Sequence, residues 1–142
     1  MLDTKKLSDR LKQKEGLRLK PYQDSVGVLT IGYGHNLQRG ISQEVAEMVF
    51  AEDLYDAIRD AWKLPFFHRL DDVRKAALVE MVFNMGLPRL QTFKQMLGAL
   101  AGAEYDRAAV EALDSKWARQ VGDQKWQRAW EVAEMFRSGQ WV

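Results

Sequence analysis

The chain has 142 residues, a length suited to a single domain with a real core. Hydrophobic residues at 46% and charged residues at 29% exclude extended disorder. The absence of cysteine excludes disulfides, thiolate metal sites and thiol nucleophiles, and two histidines without HExxH spacing predict neither metal nor cofactor. A formal net charge of +1 supplies no field for capturing nucleic acid, so no nucleic-acid partner is expected. Met1–Gly16 lacks the apolar core of a secretory signal, and no later run approaches the ~20 apolar residues of a membrane span. Cytoplasmic synthesis without stable membrane insertion is the expectation.

Asp3 is placed to cap an amphipathic helix with Leu7 and Leu11 on one face, and Gly16 is placed to end it. Glu15 then lies at the helix C-terminus, where the macrodipole disfavours a carboxylate by some tenths of a kcal/mol. Such breaks of local rules concentrate at functional sites. From Leu17 to Lys20 apolar and basic residues alternate, Pro21 blocks helix, and Val28-Leu29-Thr30-Ile31 is β-favouring. With Gly27 before that run, a hairpin or three-stranded meander is predicted, ended by Gly32 and Gly34.

Ser42 caps a segment in which Val45, Met48, Val49, Ile58 and Trp62 recur at near-helical spacing up to Leu64-Pro65, about twenty residues or ~30 Å of helix. Asp71 or Asp72 can cap a further segment to Asn84 that is apolar nearly all round and reads as a buried central helix. Helices are predicted over Leu90–Leu100, Glu104–Leu113, near Trp117 and over Lys125–Arg137, with Gly139 as the last stop. Methionine and tryptophan are read as core filling. The predicted class is α+β: one domain over 1–142, with an N-terminal helix at about 3–15, a small β-sheet lobe at about 16–41, a connecting long helix at about 42–63 and a mainly helical lobe at about 64–142. A cleft is expected where the lobes meet.

Glycosidic hydrolysis needs a carboxylic acid that donates a proton to the leaving oxygen and a second polar group that activates water or stabilises charge on the sugar. Glu15 suits the first role if it is kept protonated, Asp24 in the turn before the β run suits the second, and the Thr30 hydroxyl could hold a water. Each also has a plain structural explanation as a solvated helix end, a turn residue or a strand residue. Gly32-Tyr33-Gly34 does not open a dinucleotide fingerprint, because Leu37 occupies the third glycine position, and no phosphate loop occurs.

Glu15-Gly16, Tyr22, Asp24, Gly27 and Thr30-Ile31-Gly32-Tyr33-Gly34-His35 resemble, in order and spacing, the phage-type lysozymes of glycoside hydrolase family 24. Val82–Gly86, Trp117-Ala118-Arg119, Arg128-Ala129 and Phe136–Trp141 extend the resemblance to a lysozyme-like helical lobe. It implies a monomeric endolysin that cuts the β-1,4 bond between N-acetylmuramic acid and N-acetylglucosamine in peptidoglycan strands, with Glu15 as general acid and Asp24 with Thr30 holding the attacking water. It further implies that Arg128 salt-bridges the acid, that His35 pairs with Asp53 in support of the fold, and that Phe83 and Asn84 contact substrate. Release to the cell wall through a membrane hole made by another protein follows from the same resemblance. Compared with the T-even phage enzyme the small lobe is shorter by roughly twenty residues, and Asn84 stands where that enzyme has glutamine. The alternatives are a catalytically inactive wall-binding or nucleic-acid-binding module on the same fold and a lytic transglycosylase.

Overall fold

A computed structural model describes the whole chain, Met1–Val142, as two compact units, Met1–Met48 and Val49–Val142. In the first unit α1 spans Thr4–Glu15; the Asp3 side chain accepts from the Lys6 N–H, and Gly16, at φ 72°, returns its N–H to the Lys12 carbonyl. Both ends are those predicted.

A three-stranded antiparallel sheet follows in the order β1 (Arg18–Gln23), β2 (Leu29–Gly32), β3 (His35–Asn36). The sheet does not end at the glycine pair. Gly32 and Gly34 both take positive φ and turn the chain back, so that His35 pairs with Ile31 and Asn36 with Thr30. Pro21 falls inside β1, in the irregular stretch between Arg18 and Tyr22, where the missing N–H of proline is tolerated on an edge strand. A 3-10 turn, Leu37–Arg39, is capped by the Asn36 side chain and closed by Gly40.

The helix α2 (Gln43–Ala61) runs unbroken for 19 residues, ~28 Å at 1.5 Å per residue, and carries the chain from the first unit into the second. Ser42 caps it by accepting from the Val45 N–H. In the second unit α3 (Asp72–Met85) is the buried central helix: Ala77, Leu78, Val79, Met81 and Val82 are all inaccessible or nearly so. Around it lie α4 (Leu87–Leu90), α5 (Lys94–Ala101), α6 (Tyr105–Leu113), α7 (Lys116–Val121) and α8 (Arg128–Ser138). The single helix expected over Leu90–Leu100 is broken by a turn at Gln91–Phe93. The last helix starts at Arg128 and not at Lys125, because Trp126 takes a φ of 68° that no right-handed helix admits. No helix is long and apolar enough to cross a membrane.

The reading of tryptophan as core filler fails for most of the five. Trp117 is buried, but Trp62, Trp126 and Trp141 are each at least half exposed. Periodicity identifies which helical positions share a face, and these residues sit at helix ends and turns, where it carries no information.

One side chain ties the start of α3 to the end of α8. Arg74 donates from Nε to the Phe136 carbonyl at 2.6 Å, from Nη2 to the Arg137 carbonyl at 3.1 Å and from Nη1 to Asp71 at 2.8 Å, with its guanidinium 3.5 Å from the centre of the Tyr105 ring. It satisfies helix-end carbonyls that have no partner within α8. Gly139 is required beside it, since a Cβ there would stand 2.8 Å from Arg74 Nη1. Asp71 caps α3 through its other oxygen, accepting from the Arg74 N–H. Burial pushes the Asp71 carboxyl up, but hydrogen bonds from the Arg74 side chain and backbone, with the guanidinium charge, outweigh this and hold it below the ordinary carboxylate value.

Replacing Arg74 with alanine should destabilise by about 2–3 kcal/mol, the scale of charge-assisted hydrogen bonds lost together, measured by urea unfolding. A lysine, which lacks the planar fork, should recover less than half. A depressed folded pKa means that Asp71 contributes stability above its unfolded value of about 3.9, lost as pH falls through the lower folded value. Asp71→Asn, which keeps the cap, should lower the melting temperature by up to about 4 °C at pH 7, a figure limited by the exposure of the carboxylate, and by progressively less as pH falls below about 3.9.

Candidate active site

The first unit carries Glu15, Asp24, Thr30 and His35; the second carries Asp53, Phe83, Asn84 and Arg128. Within the first, Glu15 is exposed on the last turn of α1 and lies against the turn between β2 and β3. A Cβ on Gly34 would meet Glu15 Oε2 at 2.7 Å, so a glycine at that position is what leaves room for the carboxylate. One turn earlier on α1, the Lys12 ammonium stands 5.5 Å from the centre of the Tyr33 ring. The end of α1 and the Tyr33-Gly34 turn are therefore in contact through two successive residues of the turn.

Asp24 closes the turn between β1 and β2. Its Oδ1 accepts from the Val26 N–H at 2.9 Å and from the Val28 N–H at 2.8 Å, while its own N–H donates to the Val28 carbonyl. Thr30, in the middle strand, is the only buried polar side chain of the chain, and its hydroxyl donates to the same Val28 carbonyl at 2.8 Å. The Val28 main chain thus fixes both groups at once. Each keeps an acceptor atom that the protein does not use: Oδ2 of Asp24, and the lone pairs of a Thr30 hydroxyl whose hydrogen is already committed. Two acceptors held by the main chain of one residue are suited to a water molecule that donates to both.

His35 donates from Nε2 to the Gly40 carbonyl at 2.9 Å, tying β3 to the end of the 3-10 turn. Asp53 lies on α2, where it lines a hollow of about 230 Å³ with Asp56 and Asp60. No group of three or more histidine, aspartate or glutamate side chains is arranged to hold a metal ion.

In the second unit Asn84 is oriented by Trp117, whose indole N–H donates to Asn84 Oδ1 at 2.8 Å and leaves the amide hydrogens to be offered elsewhere. Phe83 is partly exposed and packs on Phe50, with ring centres 5.8 Å apart. Arg128 is the first residue of α8 and donates from Nε to Glu80 Oε1 at 2.9 Å. The other six ion pairs of the chain join residues three or four apart, whereas this one spans 48 residues and links α3 to α8. Both partners line an apolar groove of about 580 Å³ together with Phe50, Trp62, Phe67 and Phe83. Glu80 escaped the sequence reading, although it carries a signal: it is the one charge in the run Ala76–Met85. In the sequence Trp117 stands out only as a residue matching the family pattern; its hydrogen bond to Asn84 emerges from the fold.

A family model described as phage lysozyme matches residues 12–130. A probable T4-type lysozyme 1 of Dictyostelium discoideum is 30% identical over 146 residues, covering 81% of this chain and 86% of the relative. A probable T4-type lysozyme 2 of the same organism is 28% identical over 164 residues, 94% of each chain. An endolysin of Acyrthosiphon pisum secondary endosymbiont phage 1 is 35% identical over 116 residues, 77% of this chain and 75% of the relative. Because the matched span takes in Glu15, the Asp24–Val28–Thr30 arrangement and Arg128, and the sheet and helices have the order expected of that fold, the chain belongs to the phage lysozyme family and is a glycosidase with an α+β, lysozyme-like fold.

Proposed function

We propose that this protein hydrolyses the β-1,4 bond between N-acetylmuramic acid and N-acetylglucosamine in bacterial peptidoglycan, as a lysozyme acting in host-cell lysis. The observation that carries the reading is the pair of unspent acceptors on Asp24 and Thr30, both anchored to Val28. Glu15, protonated, donates to the glycosidic oxygen as the bond from C1 breaks. The water held by Asp24 and Thr30 attacks C1 from the opposite face and passes a proton to the Asp24 carboxylate, which inverts the anomeric configuration. Arg128, His35 and Asp53 take supporting roles, and Phe83 with Asn84 contacts the glycan. No cofactor takes part. The enzyme acts as a monomer on wall that it reaches from the cytoplasm through a membrane opening made by another protein.

The preference for hydrolysis over lytic transglycosylation rests on the same two residues. An intramolecular displacement by the muramic 6-hydroxyl has no use for a held water.

Two substitutions separate chemistry from folding. Glu15→Gln should lower the release of reducing muramic ends from purified peptidoglycan by roughly 10²–10⁴-fold, measured by mass spectrometry of the products. Asp24→Asn keeps an oxygen for the Val26 and Val28 N–H groups and should leave the melting temperature unchanged while lowering turnover by a similar factor. Anhydro muramic ends from the wild type would establish a transglycosylase, and wall retention without any released ends an inactive binding module. Gly34→Ala puts a Cβ where the Glu15 carboxylate lies and strains a positive φ; it should cost about 1–2 kcal/mol of stability and lower kcat by roughly tenfold or more.

A further inference from the structure

Among the exposed aromatic side chains, Trp126 is the one whose conformation the backbone strains to maintain. It is 66% exposed and stands at φ 68°, in the third position of the turn Gln124–Gln127, where glycine or asparagine is favoured. An aromatic residue there costs stability, and such strain persists only where the surroundings impose it. Three hydrogen bonds do so here. The Gln127 N–H donates to the Gln124 carbonyl at 2.8 Å, the Gln127 side chain accepts from the Gln124 N–H at 3.0 Å, and the Ala129 N–H donates to the Gly122 carbonyl at 2.8 Å. Gly122 leaves the space that Gln127 needs, since a Cβ there would stand 2.7 Å from the Gln127 Cβ. The indole is backed by Trp130, with ring centres 5.0 Å apart, and the Lys125 ammonium lies 5.2 Å from the centre of the Trp126 ring.

We propose that Trp126 is a substrate-binding platform, on which the apolar face of an N-acetylhexosamine ring of the glycan packs. The proposal rests on the glycosidase reading above. Several observations favour a sugar over a protein partner. The platform is one aromatic pair set among Gln124, Lys125 and Gln127, so its rim is polar, whereas a protein-docking patch is a wider apolar surface. A pyranose presents a face of C–H groups that matches a flat ring and an edge of hydroxyl and amide groups that matches such a rim. The turn also leads directly into Arg128, two residues on, to which the proposed mechanism gives a supporting role.

This assignment separates stability from binding. Trp126→Gly relieves the strained φ and should melt at, or up to about 3 °C above, the wild-type temperature. The same variant and Trp126→Ala should raise KM on solubilised glycan strands by about tenfold while kcat stays within about twofold, and Trp126→Phe should recover most of the loss. In parallel, binding of a β-1,4-linked N-acetylglucosamine tetramer, followed by calorimetry, should weaken by a similar factor in the glycine and alanine variants and not in phenylalanine. Unchanged KM and tetramer affinity in a hydrolytically active protein overturn the platform and leave the glycosidase reading intact. A melting temperature that falls in Trp126→Gly, with kcat and KM both damaged, shows a structural ring and also overturns it. If the folded wild type releases no sugar ends, the hydrolytic reading fails, and the tetramer arm alone decides: binding lost with the ring supports the platform, and binding absent or indifferent to the ring refutes it.

Discussion

The guanidinium of Arg74 is the constraint on which the geometry of the second unit depends. It reaches from the first turn of α3 to the last carbonyls of α8, and it is satisfied by Asp71 on one side and by Phe136 and Arg137 on the other. Two helices joined at one end in this way have little freedom to slide along each other. Further along the same pair, Glu80 of α3 meets Arg128 of α8. A charge pair so exposed contributes little to stability by itself, because water screens it and two long side chains must be ordered to form it. Its significance is positional: the cation sits in the first turn of α8, where the helix macrodipole opposes it, and Glu80 supplies the compensating charge.

The first unit solves an analogous problem with the main chain of a single residue. A three-stranded sheet this small has little core to hold side chains in place. The Val28 main chain accepts from the Thr30 hydroxyl and donates to the Asp24 carboxylate, so the turn that closes β1 onto β2 also orients the two polar groups. Gly34 completes the arrangement by omission, since any side chain there would occupy the space of the Glu15 carboxylate. Local hydrogen bonding and one missing methyl group do what packing does in the helical unit.

Four residues break the rule of their local setting: Glu15 at the negative end of a helix, Glu80 in an apolar helical run, Arg128 at the positive end of another, and Trp126 at positive φ. Each departure is matched by a neighbour that makes it tolerable: the space at Gly34 for Glu15, mutual pairing for Glu80 and Arg128, and the hydrogen-bonded Gln124–Gln127 turn for Trp126. Departures of this kind are expected where a residue is retained for something other than folding.

By itself the sequence determined the class of fold, the caps at Asp3 and Ser42 and the buried character of α3, because capping and periodicity act over a few residues and leave short-range patterns; it named Glu15, Asp24 and Thr30 as candidates through family resemblance and left the α3 cap between Asp71 and Asp72. Tertiary structure alone decided the third strand after Gly34, the break in the helix expected over Leu90–Leu100, the delayed start of α8 and the exposure of three tryptophans. It alone also paired Glu80 with Arg128 and aimed Asn84 through Trp117. Those partners lie 48 and 33 residues apart, and no local pattern in the chain records which distant residue a polar side chain meets once the helices have packed.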